Sequence, residues 1–439
     1  MATIESTTSQ STHRRIWQLA IPIMLSNISV PLLGLVDTAI LGHLDDSRYL
    51  AAVAMGSSLF TFVFWSFSFL RMGTTALVAQ NHDKQNTLVA IMHNAYLIAL
   101  AVGFSIILIG HWLIPFMLWL VDGVPEVTPL AHDYLQIRFY FAPVTLLNYA
   151  LLGYFIGQGR NHVLLLLLFS ANVINGLLNY YFVYHLEMNS NGIAWATNIA
   201  ESIQCLLAII LLKLNLFKGI NIGALKFHFK TFFRLNFQLF LRTFFLLFTF
   251  AFFMAQGAQM SAVTLSANAI IINLLLFMSN ALDGFALASE SLVGKAYARK
   301  ASKEIKVITQ VSGFWSFITA IVFTLLLIIF HTFILSLLTS QEPVLALLIE
   351  LKWWLIFLPL AGFASYWLDG IYVGLADARS MRDSVIISLF TLFLPIQYFV
   401  PGITGLWLAM YSFLIGRAMW LVLKLPGRMK QVESQKFEQ

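Results

Sequence analysis

Along this 439-residue chain, apolar runs of membrane-crossing length alternate with short polar breaks. A helix rises about 1.5 Å per residue, so roughly 20 mostly apolar residues cross a bilayer's hydrocarbon layer. Cutting the sequence at its polar breaks predicts twelve transmembrane helices, at about 16–42, 50–80, 88–112, 130–158, 161–185, 192–215, 234–257, 264–293, 307–331, 344–375, 384–400 and 402–424. Several exceed the minimum, which permits tilt or ends that project into water. The first run is too long for a signal-peptide core and has no small-residue cleavage pattern at its end, so it is expected to remain as a span. The expected fold class is an all-α polytopic membrane protein.

The basic residues orient these spans. With the N-terminus inside, the inner segments hold 20 Lys and Arg, from Arg14 and Arg15 through Lys295, Arg299 and Lys300 to Lys436, and the outer loops hold only Arg48. Cytoplasmic loops collect positive charge, so both termini are expected in the cytoplasm and the number of spans is expected to be even.

The halves also repeat. Leu50 to Ala54 before the second run resembles Leu265 to Ala269 before the eighth, an offset of 215 residues. Pro143 followed by Gly153 and Gly157 in the fourth run resembles Pro359 followed by Gly370 and Gly374 in the tenth, at offsets of 216 and 217. Six spans per half keep the repeat's orientation, which predicts two lobes related by an axis along the membrane normal. The expected division is a six-helix lobe over 1–215, a basic cytoplasmic linker over 216–233 and a second six-helix lobe over 234–439.

Composition narrows the function classes. Hydrophobic residues make up 59% of the chain, charged residues 10%, and the mean hydropathy is +0.81, which leaves too little polar surface for a soluble domain. The net charge of +6 sits in short inter-span segments, which argues against nucleic-acid binding. The single Cys205 allows no intramolecular disulfide. No Walker A, Gly-x-Ser-x-Gly or His-Glu-x-x-His pattern is present, so neither an enzyme nor a nucleotide-driven pump is expected. The expected energy source is an ion gradient, with no cofactor.

Ionisable groups inside spans are costly, and each is a candidate for function. Asp37 stands in the first run, about 8 Å from its outer end at 1.5 Å per residue. Pro22 and Pro31 lie in the same run, and each removes a helical N–H, so the helix could kink there in one state or in two. Asn172, Asn175 and Asn179 lie in the fifth run and Thr197 in the sixth. Asn175 and Asn179 are four apart on one helical face, where they could form an oxygen-rich cage for a proton, water or Na⁺, or serve as interhelical hydrogen-bonding glue. In the second half Asp283 and Glu290 share a face of the eighth run, and Asp369 lies in the tenth. Arg71, Arg138, Arg242, Lys352 and Arg417 are the in-span cations, available for charge pairing.

The segment from Ala20-Ile21-Pro22 through Val30-Pro31-Leu32-Leu33-Gly34-Leu35-Val36-Asp37-Thr38-Ala39 to Gly42-His43-Leu44 resembles the first helix of multidrug and toxic compound extrusion (MATE) transporters, DinF branch. Phe69-Leu70-Arg71-Met72-Gly73, Ala281-Leu282-Asp283-Gly284 and Leu368-Asp369-Gly370 continue the resemblance along the chain. It implies two six-helix lobes and alternating access, exporting lipophilic or cationic amphiphiles in exchange for H⁺ or Na⁺. It further implies a bacterial inner-membrane location, a monomer, and small-molecule and lipid partners. The family's first-helix acid matches Asp37. Its Asn-x-x-x-Asp pattern falls on Asn175 to Asn179 with the acid replaced by Asn179, followed by Thr197, which leaves Asp37 as the principal titrating group of the first lobe and weakens the case for Na⁺. A flippase of lipid-linked precursors is the alternative, but it would want a strongly basic cleft. An intramembrane prenyltransferase would need an acid-rich cytoplasmic loop, whereas the only adjacent acids, Asp45 and Asp46, fall outside.

Overall fold

The computed structural model describes residues 11–27, 40–41, 46–121, 125–212 and 222–437. Among them the secondary structure is helical, with no strand. Helix α1 covers 11–27. It is followed by α2 (Ser47–Trp65), α3 (Phe69–Gln80), α4 (Gln85–Val121), α5 (Thr128–Tyr140), α6 (Ala142–Gln158), α7 (Asn161–Tyr184) and α8 (Asn189–Leu211). The second half holds α9 (Ile222–Met260), α10 (Ala262–Ala298), α11 (Ser302–Leu338), α12 (Glu342–Glu350), α13 (Lys352–Gly374), α14 (Ala378–Ser388), a π-turn at Leu389–Phe393, α15 (Leu394–Phe399) and α16 (Gly402–Phe437).

Nine of these helices are individually long and apolar enough to cross a membrane among the described residues, and the α5–α6 pair, bent by 54°, makes a tenth. The expected runs are therefore helical wherever they are described, but several are broken. Run 50–80 parts at Ser66 to Ser68 into α2 and α3, and run 344–375 parts at Leu351 into α12 and α13. Run 384–400 is divided by the π-turn, with Pro395 starting the next segment. Hydropathy reports only the apolar total of a run, whereas continuity depends on local capping and on proline.

Leu108, Trp112, Trp119, Ile210, Ile329 and Leu423 are all exposed. Such surfaces suit hydrocarbon rather than water. Ahead of α2, Asp46 caps the helix by accepting the Arg48 backbone N–H at 2.9 Å. The Arg48 side chain also donates to it, holding its carboxyl below the usual carboxylate range.

Contacts divide the chain into two compact units. One is Leu25–Asn236. The other is Phe237–Gln439 together with the N-terminal segment to Met24. The described residues 11–24 of the first helix thus group with second-half elements, and residues 25–27 with the first unit. Ile16 and Ala20 are buried among Phe285, Ala288, Leu292 and Val293. Trp17 meets Phe285 edge-on at 5.2 Å between centroids, and Trp315 Nε1 donates to His13 Nδ1 at 3.0 Å.

Each unit contains the same tight helix crossing. In the first, a Cβ on Gly153 of α6 would lie 2.5 Å from the Arg71 carbonyl of α3, and one on Gly157 2.8 Å from that of Thr75. In the second, a Cβ on Gly370 of α13 would collide with the Ala286 backbone of α10, and one on Gly374 would lie 2.9 Å from the Glu290 carbonyl. Small residues four apart let helix backbones approach where larger ones would hold them apart. The glycines that carry the sequence repeat are those at which the helices meet most closely.

Candidate functional site

Helices α7 and α8 are joined by a turn in which Glu187 and Asn189 adopt positive φ, returning the chain so that the two helices pack side by side. The 3.6-residue period puts Asn175 and Asn179 on one face of α7, and this face meets Thr197 of α8. Asn179 Nδ2 donates to Asn175 Oδ1 at 2.8 Å, and Asn175 Nδ2 donates to Thr197 Oγ1 at 2.9 Å. The Thr197 hydroxyl then donates to the Ile193 carbonyl at 2.8 Å. All donors in this chain point the same way, and both asparagines are buried. Asn172 is half-buried on the same helix. Asp37 and Pro31 lie outside the described residues. Pro22 lies within α1, half-buried, and the helix continues through it to residue 27.

Amides and a hydroxyl can orient water or a cation through their oxygens, but they do not store a proton near neutral pH.

A second polar cluster in the same unit escaped the sequence reading. Glu201 of α8 accepts from Arg138 Nη2 of α5 at 2.8 Å and from the Thr145 hydroxyl of α6 at 2.6 Å. Arg138 also donates to Asn198 Oδ1 at 2.5 Å, and its guanidinium lies 4.1 Å from the Phe60 ring centroid. Arg138 figured in the sequence as an in-span cation without an identified partner. The signal that would have found one is the lone acid within the apolar run 192–215.

In the second unit Asp369 of α13 is shared by two guanidiniums. Arg417 Nη2 of α16 donates to its Oδ2 at 2.8 Å, and Arg242 Nη2 of α9 donates to the same oxygen. All three residues are buried. Asp369 Oδ1, Arg242 Nε and Arg417 Nε are without hydrogen-bond partners among the described residues. Asp283 of α10 is half-buried and interacts electrostatically with Tyr366, one turn before Asp369. Charge pairing therefore accounts for Asp369 and Arg242 together, with Arg417 as the third member. No group of three or more His, Cys, Asp or Glu suited to a metal occurs among the described residues.

The MatE family model matches residues 22–181 and 238–399, two segments that reproduce the twofold repeat. The chain is 35% identical over 420 residues to the DNA damage-inducible protein F of Escherichia coli strain K12, covering 94% of this chain and 91% of that protein. It is 28% identical over 219 residues to a probable multidrug resistance protein NorM of Listeria monocytogenes, covering 47% of each. Among solved structures, the Vibrio cholerae MATE transporter VcmN in its bent form superposes with a TM-score of 0.83 at 16% identity, covering 98% of this chain and 99% of that one. With the twofold repeat, the apolar helices and these matches in hand, the chain belongs to the MatE family of multidrug efflux transporters.

Proposed function

We propose that this multi-pass membrane protein is a secondary antiporter, which exports lipophilic and often cationic compounds by alternating access in exchange for H⁺, with Na⁺ as the other candidate ion. It works as a monomer in the bacterial inner membrane with both termini cytoplasmic, and its lobes correspond to 1–215 and 234–439 joined by 216–233. The observation that carries the reading is the buried Asn179 to Asn175 to Thr197 chain. It joins the positions at which the family's coupling-site pattern falls, and it supplies neutral oxygens but no charge. Asp37 supplies the titrating carboxylate, and Pro22 and Pro31 let the first helix change shape around it. The absence of a second carboxylate at Asn179 favours H⁺ over Na⁺, because a carboxylate pair would attract a bound cation more strongly than one carboxylate with amides.

Two measurements test this. In cells expressing Asp37→Asn, accumulation of a lipophilic cation should rise to the level of cells without the transporter; efflux equal to wild type removes Asp37 from the coupling role. In proteoliposomes, an imposed pH gradient and an imposed Na⁺ gradient are applied separately, and the one that drives efflux identifies the ion.

A further inference from the structure

Glu201 stands 12 residues into α8 and 10 residues before its end at Leu211, about 18 Å and 15 Å from the two ends at 1.5 Å per residue. It is the one carboxylate this deep in a span of the Leu25–Asn236 unit among the described residues. Thr197 lies one turn away on the same face. With the cytoplasmic termini proposed above, α8 runs inward, so Glu201 is roughly 6 Å nearer the cytoplasm than Thr197.

The carboxylate is the accessible member of its pair. Its side chain is 22% exposed, against 4% for that of Arg138. The surroundings also provide for its neutral form. Arg138 would keep Asn198 Oδ1 at 2.5 Å and the Phe60 ring face if Glu201 let go. The Thr145 hydroxyl has a second acceptor, the Phe141 carbonyl at 3.5 Å, so it can turn from donor to acceptor. Asn148 Nδ2 donates to the Glu201 carbonyl at 2.9 Å, while its own buried Oδ1 has no partner among the described residues. A pair that served packing alone would need none of these alternatives, and burying it carries a desolvation cost.

We propose that Glu201 is a second proton-exchanging carboxylate of the transport cycle, on the cytoplasmic side of the Asn175 and Thr197 site, with Arg138 as its counter-charge. The inference rests on the antiport reading above. In the ionised state Glu201 accepts from Arg138 and Thr145. Taking up one proton forms its O–H bond, which donates to the Thr145 hydroxyl oxygen, and the cluster changes from neutral to a single positive charge carried by Arg138. Losing that proton restores the pair. The charged and titratable groups around it are Arg138 and Tyr134 on α5, Tyr149 on α6 and, acting on Tyr149, Arg71 on α3. Those of α2 and α7 sit near the helix ends, as Arg48 and Tyr49 on α2, and His162, Tyr180, Tyr181 and Tyr184 on α7.

The test counts protons. Purified full-length protein in weakly buffered detergent solution with a pH indicator is titrated with tetraphenylphosphonium, and binding is measured in parallel by calorimetry. With two exchanging carboxylates, Glu201→Gln should lower the protons released per bound cation by about half, and Asp37→Asn should leave a comparable remainder. The variant Glu201→Gln with Arg138→Gln removes both charges, so it avoids a stranded arginine and should show the same loss. Release equal to wild type at matched occupancy in either Glu201 variant overturns the inference while leaving the antiport reading intact. A wild type that releases no proton also overturns it, and Na⁺-driven efflux from proteoliposomes would then still support antiport. If the variants do not fold, the infrared difference spectrum of wild type with ¹³C-labelled glutamate replaces them: a protonated-glutamate band that changes on cation binding supports the inference, and an unchanged one overturns it.

Discussion

Gly153 and Gly157 of α6 close on α3 in the first half, as Gly370 and Gly374 of α13 close on α10 in the second, yet the polar clusters of the two halves differ in kind. The first half carries a run of neutral donors and acceptors from Asn179 to Thr197 and, apart from it, the ion pair between Arg138 and Glu201, whose arginine is buried. The second half concentrates charge, with Arg242 and Arg417 both on Asp369. Backbone continuity differs as well. Pro143 begins α6 just after the 54° bend, whereas Pro359 lies inside α13. The repeat preserves the crossing, where only small residues fit, and leaves free the chemistry that distinguishes one half from the other.

The strongest way to break this comparison is Asp369→Asn. It strands two buried guanidiniums, and unfolding in mixed detergent should show a loss of about 3–5 kcal/mol. If the loss is below that of the neutral network, the second half does not depend on its charge cluster. Next comes the shared crossing. Gly153→Val and Gly370→Val each force a side chain into a neighbouring backbone, and each should cost about 1–3 kcal/mol by the same assay. A large loss in one half with none in the other would mean that the crossing is a repeat in sequence only. The smallest effect is expected from Asn175→Ala, which removes two uncharged hydrogen bonds of the kind worth about 0.6–2 kcal/mol in membranes. Its transport defect should therefore exceed what its stability loss explains, whereas efflux that follows stability alone would reduce the network to helix glue.

Much of the fold was legible in the sequence because lipid imposes a simple rule. A backbone that crosses it must be helical or part of a closed barrel, and uninterrupted apolar runs of about 20 residues suit only the helix, so runs such as 161–185 and 192–215 map onto α7 and α8. Asn175, Asn179 and Thr197 were legible as a group for a related reason: helical periodicity fixes which residues share a face, and a short connection fixes which helices are neighbours. Glu201 was not. Its partners stand on α5 and α6, 63 and 56 positions away in the chain, and no periodicity within one run reports a contact of that range.

The sequence alone determined the all-helical class, the twofold repeat, the gathering of basic residues in alternate inter-span segments and the short list of in-span polar groups. These follow from hydropathy, charge and spacing, which are local quantities. Tertiary structure decided which of those groups meet. It gave Asp369 two arginines and Glu201 one, and it packed Trp17 and Ile16 of the first helix on Phe285. It also decided where runs break, at Leu351 and at the π-turn. The physical reason is that a buried charge is stabilised only by partners a few ångströms away, and in a bundle those partners come from helices far apart in the chain.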